Sequence, residues 1–146
     1  LQGKNLNIDF AGNEQDTEFD YGSSDYLGEW EKGKVYESLT DYANMVLLSD
    51  GEAHSLSCLE GLMAGLGLVI SEQATANLDL SLPFIDVVSE EEMNDTNRLR
   101  DIIEKNRKVS VENRREIVKY AKENFEWKKL AEQYVKTIEG VIKENE

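Results

Sequence analysis

The sequence predicts an α/β fold in which a mostly parallel sheet is flanked by helices and followed by a helical tail. Three observations predict it. Residues 45–48 and 66–70 are continuous apolar runs, as expected for parallel strands buried on both faces. Residues 55–64, between them, carry a helical period. Beyond residue 90 the apolar residues recur at helical spacing. Strands that alternate with helices imply a parallel sheet covered on both sides.

In chain order, residues 6–11 alternate apolar and polar and end at Gly12, a strand stopping at a turn. Residues 13–24 are acidic and rich in Gly, Asp and Ser, the composition of an exposed loop. Tyr26, Leu27 and Gly28 form a short strand. Residues 34–43 set Val35, Leu39 and Tyr42 on one helical face. Strand 45–48 follows. In helix 55–64, Leu56, Leu59 and Met63 recur at i, i+3 and i+7, and Cys58 and Leu62 widen that stripe. Gly65 stops the helix. After strand 66–70 comes a connector, residues 71–82, with one helical turn near 74–76. Pro83, the single proline, introduces strand 84–88. Glu90, Glu91 and Glu92 read as a solvated loop or helix start.

In the tail, Leu99, Ile102 and Ile103 share a face. Ser110 is expected to cap a helix through Glu123 that buries Ile117, Val118, Tyr120 and Ala121. A break near Asn124 precedes a last helix with Trp127, Leu130, Tyr134, Ile138 and Val141 on one side. Trp127 and Tyr134 are expected in core or interdomain packing. No internal repeat, heptad array or low-complexity tract is evident.

The chain of 146 residues fits one domain, residues 1–146. Residues 1–90 are its α/β core and 91–146 its mainly helical part. Hydrophobic residues at 40% and charged residues at 32% describe a folded chain rather than a disordered one. Net charge is −14 and unevenly spread. Residues 1–90 hold 17 acids against Lys4, Lys32 and Lys34, which is −14; residues 91–146 hold 13 of each sign. That balance argues against nucleic acid, whose phosphates are met by Lys and Arg, and against anionic membrane surfaces. No apolar run approaches the ~20 residues that span a bilayer. The chain begins at Leu1 with no signal segment, and is expected to be a piece of a longer protein. Cys58 alone excludes an internal disulfide and fits a reducing, cytoplasmic compartment.

The candidate site lies between the two apolar runs. Glu52 falls in the loop before a helix N-terminus, where His54, Ser55 and Leu56 present free backbone N–H groups. Those groups and the helix dipole suit a phosphate. A carboxylate there repels phosphate and is better used to accept hydrogen bonds from sugar hydroxyls. Glu60, eight positions on, falls among core residues, where a carboxylate needs a partner such as a ribose diol. Spacing alone leaves open the simpler reading of exposed helical carboxylates favoured by the dipole. His54, the single histidine, has no second ligand beside it for a metal. It acts through its backbone or touches a ligand with its ring. Cys58 is expected to be a buried, inert thiol.

The pattern Glu52, seven residues, Glu60, then Leu62, Ala64, Gly65, Val69 and Ile70 resembles the donor-site signature of family 4 retaining glycosyltransferases of the GT-B fold. The typical form there is Glu-Gly-Phe-Gly-Leu, three residues, Glu-Ala-Met-Ala, any residue, Gly, any residue, Pro-Val-Val. Tyr26, Leu27 and Gly28 resemble that family's short strand before a helix. Ala43, Asn44 and Met45 through Ser49 resemble its strand entry. Phe125, Trp127, Leu130 and Tyr134 resemble its closing helices. The resemblance covers nearly the whole chain and implies a Rossmann-like domain, the C-terminal half of a GT-B fold.

The resemblance also implies roles. Glu52 would be the catalytic-site carboxylate on the transferred sugar. The backbone of His54, Ser55 and Leu56 would hold the diphosphate, and Glu60 the ribose. Gly12 would let backbone approach the donor. The reaction would move a sugar from a nucleotide diphosphate sugar to an acceptor hydroxyl with retention, in glycan or polysaccharide synthesis. No metal and no cofactor are implied. The family's last helix crosses to the other domain, so part of its apolar face would be exposed here. Ala53, His54 and Ser55 replace Gly-Phe-Gly, and Gly67 replaces Pro. The usual Gly-Gly segment is Glu72 to Asn77. The family's Arg/Lys pair and its acceptor-binding N-terminal domain would precede Leu6, so this chain alone is expected to be inactive. Any contact with the inner face of a membrane would come through that missing part.

Two other classes fit less of the chain. A phospho-acceptor receiver module would use Asp50 as its central acid, but no Lys follows the later strands. A partner-binding domain without donor would not need both Glu52 and Glu60.

Overall fold

A computed structural model describes residues 6–13, 18–22 and 24–144. Lys4, and residues 14–17 and 23 of the acidic loop, lie outside the described residues. The described chain is α/β with parallel strands. Among the described residues no helix is long and apolar enough to cross a membrane.

The strands form two sheets rather than one. The strand expected over residues 6–11 contracts to β1, Asp9–Phe10, paired in parallel with β2, Asp25–Tyr26. Helix α1, Lys32–Ser38, and a 3-10 turn, Leu39–Asp41, follow. Neither buries a residue, although Val35 and Leu39 of the expected face are half-covered. The second sheet is the core. Strand β3, Asn44–Leu47, pairs in parallel with β4, Gly67–Ser71, which pairs in parallel with β5, Ile85–Val88. Helix α2, Leu56–Met63, joins β3 to β4. The helical turn of the next connector comes earlier than expected, as a 3-10 turn at Glu72–Ala74.

The sheet is covered on both faces, and its strands show why. In β4, Leu68 and Ile70 face one side and Val69 the other, the two-residue period of a strand. Leu68 and Ile70 pack with Cys58 and Leu62 of α2, and with Ile117 and Ala121. Val69 packs with Val88, Leu99 and Ile103. Leu56 departs from expectation and is 64% exposed. Ser55 is the N-cap, and the face of α2 turned to the sheet is Cys58, Gly61 and Leu62. Gly65 stops α2 as expected, with φ +82 and its N–H on the Leu62 carbonyl.

The tail begins with α3, Glu90–Asn94. Ser89 and Glu92 satisfy each other's backbone N–H groups in a capping box. Asp95 then caps α4, Thr96–Phe125, through the amides of Asn97 and Arg98. Ser110 is therefore not an N-cap. It is fully buried inside α4, with its hydroxyl donating to the Asn106 carbonyl at 2.7 Å. The discontinuity in α4 comes three residues later, at Asn113, where φ −110 and ψ 15 leave the helical region. The Asn113 side chain donates to the Val109 carbonyl there. The break expected near Asn124 falls at Glu126, and α5, Trp127–Glu144, follows. Its apolar side is not core: Trp127 is 79% and Tyr134 69% exposed.

Helix α4 serves both faces of the sheet. Its first half supplies Leu99 and Ile103 to one face, and its second half Ile117 and Ala121 to the other. It crosses between them at the edge where the strands begin. Asn106, fully buried, sits at the crossing. Its amide nitrogen lies within hydrogen-bond reach of the Leu68 and Phe84 carbonyls and of an Asp86 carboxylate oxygen. Its amide oxygen accepts from Asn44 and Ser110. One side chain thus ties the helix to all three strands. Asp86, a residue of β5, also pairs with Lys105 at 3.1 Å.

The crossing demands a residue without a side chain on β4. A Cβ at Gly67 would stand 2.0 Å from Ser110 Oγ, 2.8 Å from the Phe84 carbonyl and 3.0 Å from Asn106 Oδ1. Gly67→Ala is therefore expected to lower unfolding free energy by about 3 kcal/mol, as overpacking of a filled core does. Chemical denaturation measures this, and adding Ser110→Ala should recover part of the loss.

The small sheet is anchored through Tyr42, whose hydroxyl donates to Asp9 at 2.8 Å. Arg114 donates to the carbonyls of Thr40 and Tyr42 and fixes the entry to β3. Burial, followed by the Asp9 hydrogen bond and charge, pushes the Tyr42 phenol up to about 12. A raised folded value means that this contribution is complete below pH 10 and is lost as pH climbs through about 12. Alkaline titration by ultraviolet absorbance should show a late-ionising phenol that disappears in Tyr42→Phe.

Candidate functional site

The candidate site lies where β3 and β4 end. The carboxyl ends of parallel strands are where open α/β sheets receive ligands. Ser71, the last residue of β4, is fully buried. Its hydroxyl donates to the Ser49 carbonyl at 2.6 Å and accepts from the Ser49 amide at 3.1 Å. This strut fixes the start of the loop that carries Glu52. The Ser49 side chain then bonds both backbone groups of Gly51 at 3.3 Å, which tightens the loop further.

Ser55 ends the loop as the N-cap of α2. It is 8% exposed, and its hydroxyl accepts from the Cys58 amide at 3.4 Å. The amides of Leu56 and Ser57 have no acceptor among the described residues. The amides of His54 and Ser55 likewise have none, so the expected set of His54, Ser55 and Leu56 extends to Ser57. They carry the positive end of the helix dipole.

Glu52 and Glu60 are both half-buried. Neither carboxylate has a hydrogen-bond or ion-pair partner among the described residues. Glu52 sits close enough to α2 for its charge to act on Cys58. Burial chiefly, with the Glu52 charge adding, pushes the Cys58 thiol up, and the Ser55 hydroxyl opposes this. Residues 35–97, which build the three-stranded sheet and α2, contain no Lys or Arg.

His54 is exposed, and Asn77 and Phe125 hold it from two further elements. The Asn77 side-chain amide lies 3.1 Å from His54 Nδ1. With that amide donating, Nδ1 accepts and the ring proton sits on Nε2. Asn77 itself is held with φ 64, a left-handed conformation that Asn tolerates better than most residues. The Phe125 ring centroid lies 6.3 Å from the imidazole and 5.6 Å from Tyr120. The Tyr120 hydroxyl accepts from the Asp79 amide at 2.9 Å. The loop after β4 and the end of α4 thereby converge on the loop after β3.

Gly12 lies on a different element. It ends β1 of the small sheet, with φ +135, a conformation that L side chains rarely adopt. It donates to the Gly28 carbonyl at 3.0 Å and accepts from the Tyr26 hydroxyl at 2.9 Å. A Cβ there would meet nothing within 4 Å, so the space beside it is open. Among the described residues no hydrogen bond joins it to the Glu52 loop. Asp50 is exposed. Among the described residues no three His, Cys, Asp or Glu side chains converge as metal ligands do.

The structure thus groups Glu52, His54, Ser55, Leu56 and Glu60 on one loop and helix, and Gly12 lies in the turn after β1. It adds Ser49, Ser71, Asn77 and Phe125, to which the sequence reading gave no role in the site. A serine closing an apolar strand, as Ser71 does, was the one available sign. Comparison of the chain with protein-family models, with curated proteins and with solved structures returns no match.

Cys58 is 1% exposed and its thiol is held protonated by burial. Thiolate is the reactive form. Maleimide should therefore label the folded chain at less than about one-hundredth of the rate in denaturant, since reaction requires opening. Mass spectrometry over time checks this.

Proposed function

We propose that this chain is the donor-binding half of a retaining GT-B glycosyltransferase, which moves a sugar from a nucleotide diphosphate sugar to an acceptor hydroxyl. The observation that supports it best is the pair Glu52 and Glu60, two half-buried carboxylates without partners that flank the open amides of Leu56 and Ser57. An unpaired, partly desolvated carboxylate is costly, and a site offering two is suited to hydroxyls. In this reading the amides of His54, Ser55 and Leu56 hold the diphosphate, Glu52 accepts from the transferred sugar, and Glu60 accepts from the ribose. His54, with its ring proton on Nε2, adds one further donor beside the phosphates. The Rossmann-like assignment rests on the parallel order of β3, β4 and β5 and the site at their carboxyl ends.

The same reading sets what the chain needs from elsewhere. A diphosphate beside two carboxylates requires cations, and residues 35–97 hold none. An acceptor-binding domain is required as well. Reaction at the sugar would proceed without a resident metal or cofactor.

Calorimetric titration with uridine and guanosine diphosphates tests donor binding. One of them is expected to bind with a dissociation constant on the order of 1 mM. Glu60→Ala is expected to weaken it about tenfold, the worth of a hydrogen bond to a charged group. No transfer is expected from the chain alone. Absence of binding by both nucleotides, with folding intact, sinks the proposal.

A further inference from the structure

The ring of His54 is held in a way that a role for its backbone does not require. Asn77, in the loop after β4, brings its side-chain amide to His54 Nδ1 at 3.1 Å. Asn77 is also the one non-glycine among the described residues with a positive φ, at 64. Unusual backbone of this kind persists where surrounding structure over-determines it, and it clusters at functional sites. The Phe125 ring approaches from a third element, the end of α4.

An amide can hold an imidazole in either of its charge states. To the neutral ring it donates through its nitrogen, which leaves the proton on Nε2. Turned end for end, its oxygen accepts from Nδ1–H of the imidazolium. Nε2–H remains a donor in both states. Imidazole is also the side chain that ordinarily changes charge between pH 5 and 8. Residues 35–97 contain no Lys or Arg and no second histidine, so His54 is the one side chain among them able to become a cation.

Asn77 and Phe125, which meet the ring, carry no charge. The charged residues next to them in sequence are Glu72 and Asp79 on one element, and Lys122, Glu123 and Glu126 on the other. Glu126 is paired with Lys129. Asp50 and Glu52 lie on the ring's own loop. Tyr120, beside Phe125, has its phenol pushed up chiefly by burial and stays neutral in that range. Acids outnumber bases on these elements and favour the charged ring.

We propose that His54 binds the diphosphate as imidazolium through Nε2–H, and that Asn77 is a positioning residue whose amide turns over to keep the ring in place as it takes up the proton. This rests on the nucleotide-sugar reading above. Binding and protonation are then linked: the anion raises the proton affinity of the ring, and the proton raises the affinity for the anion by the same factor.

His54 is the single histidine, so NMR of the imidazole nitrogens reads its protonation and tautomer directly. Nucleotide diphosphate sugars suit the test because both phosphates are esterified and keep their charge in this range. The probes are uridine diphosphate glucose and guanosine diphosphate mannose at about 10 mM. One of them is expected to raise the imidazole midpoint by about 0.5 pH unit, and to bind about threefold more tightly near pH 5.5 than near pH 8, the worth of an exposed ion pair. His54→Gln should remove that pH dependence. Asn77→Gly, which accepts the backbone conformation, should keep the circular dichroism, mix the two tautomers of the free ring and reduce the rise of the midpoint. Binding that leaves the midpoint unmoved, a pH dependence that survives His54→Gln, or an unchanged tautomer in Asn77→Gly overturns this inference and leaves nucleotide-sugar binding standing. No binding by either probe at either pH sinks that reading and this inference with it.

Discussion

The Asn106 amide, buried where α4 crosses the edge of the sheet, is the constraint on which the rest depends. A helix that passes from one face of a sheet to the other must bridge open strand ends, where backbone carbonyls would otherwise lie buried and unpaired. Asn106 meets those of Leu68 and Phe84 and reaches Asn44 on the third strand. Each buried group left unsatisfied would cost about 1–3 kcal/mol. Ser110 and Gly67 belong to the same junction: the serine hydroxyl occupies the volume that a β4 side chain would need. Shape and hydrogen bonding therefore fix α4 together, and neither can change alone.

Closing one edge leaves the other open. The strands begin against α4 and end at the loops that carry Glu52, Ser71 and Ser89. Those loops are held by polar side chains at their own edge. Ser71 bonds Ser49, Ser89 bonds Glu92, and Asn77 bonds His54. This division of labour explains how polar side chains can be spent at the carboxyl edge without weakening the core. The two hydrophobic clusters lie on the faces, and the polar clamp that joins all three strands lies at the opposite edge.

Periodicity made the core legible. The apolar runs at residues 45–48, 66–70 and 84–88 are β3, β4 and β5 within a residue or two, because strands buried on both faces admit little else. The helix between the first two was equally plain, but its rotation was not. Leu56, Leu59 and Met63 fit a helical stripe as well as Cys58, Gly61 and Leu62 do, and packing of small Gly61 beside Met45 decides between them. Ser110 misled for a similar reason. A serine before a helical run reads as a cap, yet within a helix it can bond the carbonyl four residues back, as this one does. The carboxylates and the helix cap of the site were visible because they are local in sequence. Asn77 and Phe125 were not, since they reach His54 across 23 and 71 positions.

Charge shapes what such a site can accept. Two half-buried carboxylates with no Lys or Arg among residues 35–97 make a field unfavourable to any anion. The open amides of α2 offset this only within their own first turn, since the dipole falls off over that distance. A neutral polyol gains from the carboxylates and needs nothing from the amides. A bare phosphate gains from the amides and loses to the carboxylates. A ligand with hydroxyls at its ends and phosphates between them is the combination that uses every group without conflict. That order of charge along one molecule, rather than any single contact, is the physical basis of the proposal that the site takes a sugar-bearing diphosphate.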